Sequence, residues 1–243
     1  THIKLNFNKL NFKFNGYVQT GSAPVTPVSP LFGYLIGLDA SYVLSPKLSV
    51  DFGYETQSGT SQTDTSQTYV RKTHNFTPHF GTNHKFNGLM DYFYVGSGHG
   101  NVGLQDIYFK LKYKKEKWNV GLDGHLFIAG LGVKVYDAVR YNTALTNATM
   151  QVDVDAITEA QYTDYTLGSI LGTEIDLSFM YKIKPTVTLK IGYSHLISSE
   201  TLASIKAVTY TSGANSGLGR TDQINNWGYV MIVVKPKFLV KNK

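Results

Sequence analysis

The chain has 243 residues, of which 42% are apolar and 16% are charged, with a formal net charge of +6 at pH 7. It has no cysteine, which excludes disulfides and thiolate metal sites, and no apolar run of about 18 residues, which excludes a membrane-spanning helix. Because no basic stripe is interleaved with aromatics, the modest positive charge predicts a solvated surface and no nucleic-acid partner.

Nine stretches alternate apolar and polar residues with the period of two that is typical of a half-buried β-strand. In the first, Ile3, Leu5 and Phe7 alternate with Lys4 and Asn6. The other eight are residues 12–18, 34–42, 48–54, 107–113, 118–126, 175–181, 187–193 and 227–233. The 17 tyrosines, 13 phenylalanines and 23 glycines suit an all-β chain of this kind.

Short and long connections alternate along the chain. Tight turns are expected at residues 8–9, 44–47, 114–117 and 182–185, with a three-proline loop at 21–30 and long external loops at 56–103, 129–171 and 198–225. This alternation requires residues 84–103 to be a loop, and their apolar residues follow neither a strand nor a helix period. Alternating turns and loops are typical of outer-membrane barrels. Their sheets close on themselves because lipid offers no hydrogen-bond partner to the backbone N–H and C=O groups of an open edge. The sequence therefore predicts one transmembrane antiparallel up-and-down β-barrel domain over residues 1–243.

Strand parity predicts that the domain is N-terminally incomplete. With nine strands and a periplasmic C-terminus, Thr1 falls outside, whereas a bacterial single-chain barrel normally has an even strand number and a periplasmic N-terminus. We therefore expect about nine strands of a larger barrel. The alternative is a complete small barrel in which one strand is miscounted.

An anion-selective pore needs cationic side chains along its lumen. The inward-facing lysines of this chain are matched by inward-facing carboxylates, so the sequence predicts a wall of mixed charge without strong polyanion selectivity. The residues expected to line the pore are Asp106, Lys110, Lys112, Asp123, His125, Glu174, Asp176 and Lys190.

The loop at residues 84–103 is expected to fold into the barrel as a constriction, with its aromatic side chains anchored to the wall. His74, His79, His84 and His99 lie around it but have no metal-ligand spacing, so neither a metal nor another cofactor is expected. The residues expected at the constriction are Arg71, Lys72, His84, Lys85, Asn87 and Asp91.

Three segments carry a family resemblance. Residues 84–88 (HKFNG) with Asp91 and Phe93, followed by residues 103–106 (GLQD), resemble a segment that precedes a strand in the alginate-export family of outer-membrane porins. Residues 171–177 (LGTEIDL) and 226–231 (NWGYVM) resemble its Bacteroidota-type members. The resemblance spans roughly residues 34–238 and implies a monomeric barrel of about sixteen to eighteen strands that passes anionic or other small hydrophilic solutes.

The expected function is passive passage of small hydrophilic solutes, polyuronates among them, through the outer membrane of a Gram-negative bacterium. The expected partners are outer-membrane lipid, lipopolysaccharide and the solute. The alternative is a plugged barrel that docks partner proteins, because Val230, Ile232 and Val234 make the last strand apolar on both faces and its inner face would need a dry cover. No enzyme is expected, because His125 and Ser178 lie on strands separated by a long loop.

Overall fold

The computed structural model describes residues 1–23, 29–64, 66–77, 87–93, 99, 101–135, 165–206, 208, 210–211 and 219–236. The strands are β1 His2–Phe7, β2 Leu10–Ala23, β3 Ser29–Ser45, β4 Leu48–Gln57, β5 Leu104–Lys115, β6 Trp118–Ala129, β7 Val133–Val135, β8 Tyr165–Leu167, β9 Ile170–Lys184, β10 Val187–Ser198 and β11 Asn225–Val234. The described helices are α1 Gln67–Val70 and α2 Glu200–Ile205. Neither is long and apolar enough to cross a membrane.

Nine strands form one antiparallel up-and-down sheet in the order β1-β2-β3-β4-β5-β6-β9-β10-β11, and β7 pairs with β8. The predicted all-β fold and its nine strands are confirmed. The described part of residues 58–103 adds no strand to this sheet, which agrees with the loop predicted before β5. Residues 84–86, 94–98 and 100, which belong to the predicted loop, lie outside the described residues.

Two-residue turns join neighbouring strands at one end of the sheet, at residues 8–9, 46–47, 116–117 and 185–186. We call this the short-turn end, and the opposite end, with connections 58–103, 130–169 and 199–224, the long-loop end. Asn8 takes a positive φ of 50°, a conformation that tight hairpin turns need and asparagine tolerates. The predicted loop at 21–30 is shorter than expected, because β2 and β3 continue until Ala23 pairs with Ser29.

The two faces of the sheet have opposite polarity, and the apolar face is the exposed one. Phe52 is 58% exposed, whereas Glu55 on the opposite face of the same strand is 7% exposed. Because directly paired residues of antiparallel strands lie on the same side, the register extends each face across all nine strands. We call them the apolar face and the polar face. Exposed members of the apolar face include Leu5, Phe12, Leu38, Phe52, Phe109, Leu122, Leu177, Ile191 and Val230.

The last strand is apolar on both sides, and the register decides which residues lie on each. Val230 pairs with Ile191 on the apolar face, whereas Met231 pairs with Lys190 on the polar face. The side chains of β11 on the polar face are therefore Trp227, Tyr229, Met231 and Val233, and not Val230, Ile232 and Val234. Trp227 is 42% exposed and Met231 49%, so the described residues do not provide the dry cover expected there.

The apolar core lies on the polar side of the sheet, toward the long-loop end. It consists of loop residues packed against the ends of β5, β6, β9 and β10 and against α2. Its buried members are Phe93, Val102, Leu104, Phe127, Ala129, Val133, Leu171, Leu196 and Leu202.

Candidate pore wall and its covering loop

All eight residues predicted to line a pore lie on the polar face. The register pairs Lys110 with Asp123 and Asp123 with Asp176, and it pairs His125 with Glu174 in a neighbouring row. The period-two alternation of β5, β6, β9 and β10 places the eight side chains on one side. They differ, however, in what covers them.

Among the described residues, the most buried ion pair on this face is His125 with Asp106. His125 Nδ1 lies 3.0 Å from each carboxylate oxygen of Asp106, and both side chains are almost fully buried. The ring of Phe127 stacks on the imidazole with an interplanar angle of 18°. The carboxylate therefore accepts from Nδ1–H and fixes the ring, while Nε2 has no hydrogen-bond partner among the described residues.

Two ion pairs cross neighbouring strands nearer the short-turn end. Lys110 Nζ lies 3.3 Å from Asp123 Oδ2, and Lys112 Nζ lies 2.5 Å from Asp51 Oδ2. The side chain of Lys112 is 53% exposed, so water screens this pair. These charges give the wall both signs at close spacing.

The loop segment 87–93 lies on the polar face and is tied to β9. The backbone N–H of Leu89 donates to Asp176 Oδ2 at 3.0 Å, and that of Met90 donates to Glu174 Oε1 at 2.9 Å. Glu174 and Asp176 are 0% and 1% exposed because this segment covers them. Glu174 and Asp176, which were expected on a water-lined wall, thus bind a loop segment instead. The backbone N–H groups of that segment supply the donors that a buried carboxylate requires.

Gly88 makes this close approach possible. Its φ is +80°, a backbone conformation that residues with a side chain rarely adopt. A Cβ at this position would also collide with the carboxylate of Glu174. Asn87 closes the segment, because its Nδ2 donates to the carbonyl oxygen of Phe93 at 3.1 Å.

Phe93 anchors the end of this segment in the apolar core. The side chain is 0% exposed, and its ring centroid lies 4.6 Å from that of Phe127 on β6. The predicted constriction residues Asn87 and Asp91 therefore lie over the polar face, on a segment fixed by backbone donors at one side and by an aromatic side chain at the other.

Arg71 and Lys72 lie elsewhere at the long-loop end. They follow α1, both are exposed, and Thr73 joins the start of β3 through a hydrogen bond from its N–H to the carbonyl oxygen of Pro30 at 2.8 Å. His84 and Lys85 lie outside the described residues. The structure consequently describes four of the six residues predicted for the constriction and places only Asn87 and Asp91 on the covering segment.

The described histidines of this region occupy separate environments. His74 stacks on Tyr69 with ring centroids 4.0 Å apart, whereas His99 is 2% exposed and neither ring nitrogen has a described hydrogen-bond partner. Burial lowers the pKa of His99 to about 4, which keeps the ring neutral near pH 7. Within the described ranges no group of three or more His, Cys, Asp or Glu residues could hold a metal.

Two cavities divide the polar face. One of about 250 Å³ is lined by Lys13, Asp39, Asp106, Lys110 and His125 among others. A second of about 540 Å³ lies toward the short-turn end, and Lys190 lines it together with Lys112 and Asp123. The predicted wall residues are therefore divided between these two cavities and the contact with loop segment 87–93.

Sequence reasoning missed the contact of Tyr108 with Asp39. The Tyr108 hydroxyl donates to Asp39 Oδ1, although the two residues lie on β5 and β3 with β4 between them. Gly53 on β4 pairs with both residues, and a Cβ there would collide with the Tyr108 ring. A glycine paired across strands with a tyrosine is the signal that could have predicted this contact.

The geometry also separates the residues considered for hydrolysis. Ser178 pairs with Gly121, whereas His125 pairs with Glu174, four residues earlier on the same strand. That spacing is about 13 Å along a strand, well beyond a hydrogen bond.

No protein-family model matches this chain, and a search of curated proteins found no match.

Proposed function

We propose that this chain forms part of a porin-like β-barrel in a bacterial outer membrane, which passes small hydrophilic solutes along the polar face. The observation that carries the proposal is the polarity of the sheet. Its apolar face is exposed, as at Phe52 and Val230, while several charged residues on the other face, such as Glu55 and Asp106, are buried. A bilayer explains this arrangement, because lipid replaces the missing apolar partner of the exposed face.

Aromatic side chains near both ends of the apolar face support the same proposal. Tyr42 and Trp118 lie toward the short-turn end, and Tyr34 lies toward the long-loop end. Amphipathic aromatic rings prefer the two membrane interfaces. The surrounding partners would be outer-membrane lipid and lipopolysaccharide.

Strand pairing favours a barrel with more strands than these nine. Within the described residues β1 pairs with β2 alone, and β11 pairs with β10 alone. Since the sheet alternates direction, its first and ninth strands run the same way and would meet in parallel. Additional strands would allow an antiparallel closure without open edges in lipid.

Transport in this proposal involves no covalent chemistry. Solutes would diffuse past a wall of both signs, which includes the pairs Lys110 with Asp123 and Lys112 with Asp51. Such a wall favours small hydrophilic solutes with weak charge selectivity. A polyuronate is the first solute to test, because of the resemblance to alginate-export porins.

A plugged barrel that docks partner proteins is the second candidate. The hydrogen bonds of Leu89 and Met90 to Asp176 and Glu174 favour it, because they fix the covering segment across the polar face. A fixed segment would narrow or close a water path.

Single-channel conductance of the full-length protein in a planar bilayer, with and without polyuronate, tests the proposal. Steady conductance that the polyanion blocks supports a solute channel. A correctly folded but silent protein would contradict the channel and support the docking candidate.

A further inference from the structure

The short-turn end of the sheet carries a row of exposed lysines with little acidic counterpart. Glu116 is the one carboxylate in the same described turns and strand ends. We call this row the lysine rim, and its eight members are Lys9, Lys47, Lys114, Lys115, Lys117, Lys182, Lys184 and Lys235.

Backbone hydrogen bonds bring members of the lysine rim side by side. The N–H of Lys114 donates to the carbonyl oxygen of Lys47 at 2.7 Å, and that of Lys182 donates to Lys117 at 2.7 Å. The N–H of Lys235 donates to Thr186 at 2.8 Å, in the turn that follows Lys184. Neighbouring turns thus present ammonium groups from adjacent strands along one edge of the molecule.

This crowding has no internal compensation within the described residues. The ion pairs there involve Lys110, Lys112, His125 and Arg220, and none includes a lysine of the rim. Like charges on adjacent strands repel one another. An external anionic surface would relieve this repulsion.

The side chains next to the lysine rim identify what kind of surface that is. Phe7 is 58% exposed, Ile183 47% and Val234 59%, and each lies within two residues of a rim lysine on the side of the apolar face. Tyr113 and Trp118 pack together there, with ring centroids 5.4 Å apart. A cationic edge directly bordering an apolar band with aromatics fits the boundary between acyl chains and headgroups.

We propose that the lysine rim binds the phosphate-bearing headgroups of anionic phospholipids in the leaflet at the short-turn end. The proposal rests on the proposed function in that it places the apolar face in a bilayer. An acidic protein would have to approach the rim from the aqueous side. Phe7, Ile183 and Val234 instead place the rim directly at the edge of the acyl chains, where phospholipid phosphates are already present.

The experiment compares folding of the full-length protein into phosphatidylcholine vesicles with folding into vesicles that contain about one third phosphatidylglycerol. We expect the anionic lipid to raise the membrane-inserted fraction relative to the unbound fraction more than tenfold at low salt. Each lysine near an anionic surface contributes roughly fivefold. About 0.5 M salt should remove most of the preference, because charges are then screened within a few ångströms.

The decisive variant replaces Lys47, Lys114, Lys117 and Lys182 with glutamine and should lower the preference at least tenfold, because it removes half of the rim lysines. The same four positions changed to arginine keep the charge and should keep the preference, which separates charge from folding defects. Arg71→Gln with Lys72→Gln and Arg220→Gln removes exposed cations from the long-loop end and should also keep it. An unchanged preference in the glutamine variant would overturn the proposal. This holds whether or not the variant still binds an acidic protein, the alternative occupant of the rim.

This result is independent of conductance. A protein that prefers anionic vesicles but stays electrically silent supports the lipid site and contradicts the solute channel. A conducting protein without any lipid preference contradicts the lipid site alone.

Discussion

Charged residues of the polar face differ in how far water reaches them, and that difference determines the effect of each substitution. The side chains of His125 and Asp106 are 1% and 2% exposed, whereas Lys112, paired with Asp51, is 53% exposed. Removing a partner from a buried pair leaves an unsatisfied group, while a screened pair contributes little.

Asp106→Ala should therefore destabilise the folded protein by about 1–3 kcal/mol, because it leaves Nδ1 of His125 buried without an acceptor. Asp51→Ala is the matched control and should cost at most about 1 kcal/mol. Urea unfolding in lipid vesicles measures both values. Equal losses would contradict the buried pair as the stronger contact.

The two paired lysines give a test of the solute path. Lys110→Glu combined with Lys112→Glu should shift the reversal potential under a salt gradient toward cation selectivity, because the wall loses two positive charges and gains two negative ones. Exchanging Lys112 and Asp51, as K112E with D51K, keeps the net charge and should leave the reversal potential unchanged. If the double reversal also changes nothing, these residues do not line the path.

The burial of His99 predicts how the loop that joins β4 to β5 responds to acid. Segment 87–93 belongs to the same loop. Burial lowers its pKa from 6.5 to about 4, so an opened loop takes up a proton between these values while the closed loop does not. The stability that the closed loop has above pH 6.5 should fall as the pH drops toward 4, by on the order of 3 kcal/mol in total. Hydrogen exchange of residues 101–104, corrected for its intrinsic pH dependence, measures this opening. His99→Gln cannot titrate and should remove the pH dependence, and a persistent dependence would assign it to another group.

At the scale of elements, segment 87–93 depends on a glycine. Gly88 has a φ of +80°, and its missing side chain is what allows contact with Glu174. The segment has two further attachments, the backbone donors of Leu89 and Met90 and the buried ring of Phe93. Losing one attachment should loosen it without unfolding the sheet.

Gly88→Ala should raise single-channel conductance, because a Cβ at this position adds backbone strain of roughly 1–2 kcal/mol and displaces the carboxylate of Glu174. Gly168→Ala is the matched control, since a Cβ at Gly168 meets no atom within 4 Å. Conductance recordings of the two variants give the comparison. An unchanged conductance in Gly88→Ala would remove segment 87–93 from the solute path.

The strands were predictable and the loop contacts were not. Residues 107–113 show the period-two alternation that is typical of a half-buried strand, and all of them belong to β5. By contrast, the contact of Met90 with Glu174 joins residues 84 positions apart. No local pattern determines such a pair, because it depends on how the loop folds back over the sheet.

At the scale of the whole molecule, the exposed apolar face is the place where contact with lipid can be distinguished from contact with water. Phe52 is 58% exposed at the middle of this face. In water a charged residue there would be tolerated, because the side chain already contacts solvent. In a bilayer the same residue would have to leave water.

Phe52→Lys should cost about 2–4 kcal/mol of stability in vesicles, the range measured for lysine facing the middle of a bilayer. Ser178→Lys on the polar face is the control and should change stability by less than about 1 kcal/mol. Equilibrium folding into vesicles measures both. A Phe52→Lys variant as stable as the parent would argue against lipid contact at this face.

The sequence by itself determined the nine strands of the sheet, the two faces of every one except β11, and the alternation of turns and loops, because alternation and turn chemistry act between residues close in the chain. Only the tertiary structure decided that Glu174 and Asp176 hold a loop, that Tyr108 reaches Asp39 past Gly53, and that Trp227 and Met231 are the β11 residues on the polar face. Those contacts depend on strand register and on loop return. Both are determined by residues far apart in the sequence that meet only when the sheet has formed.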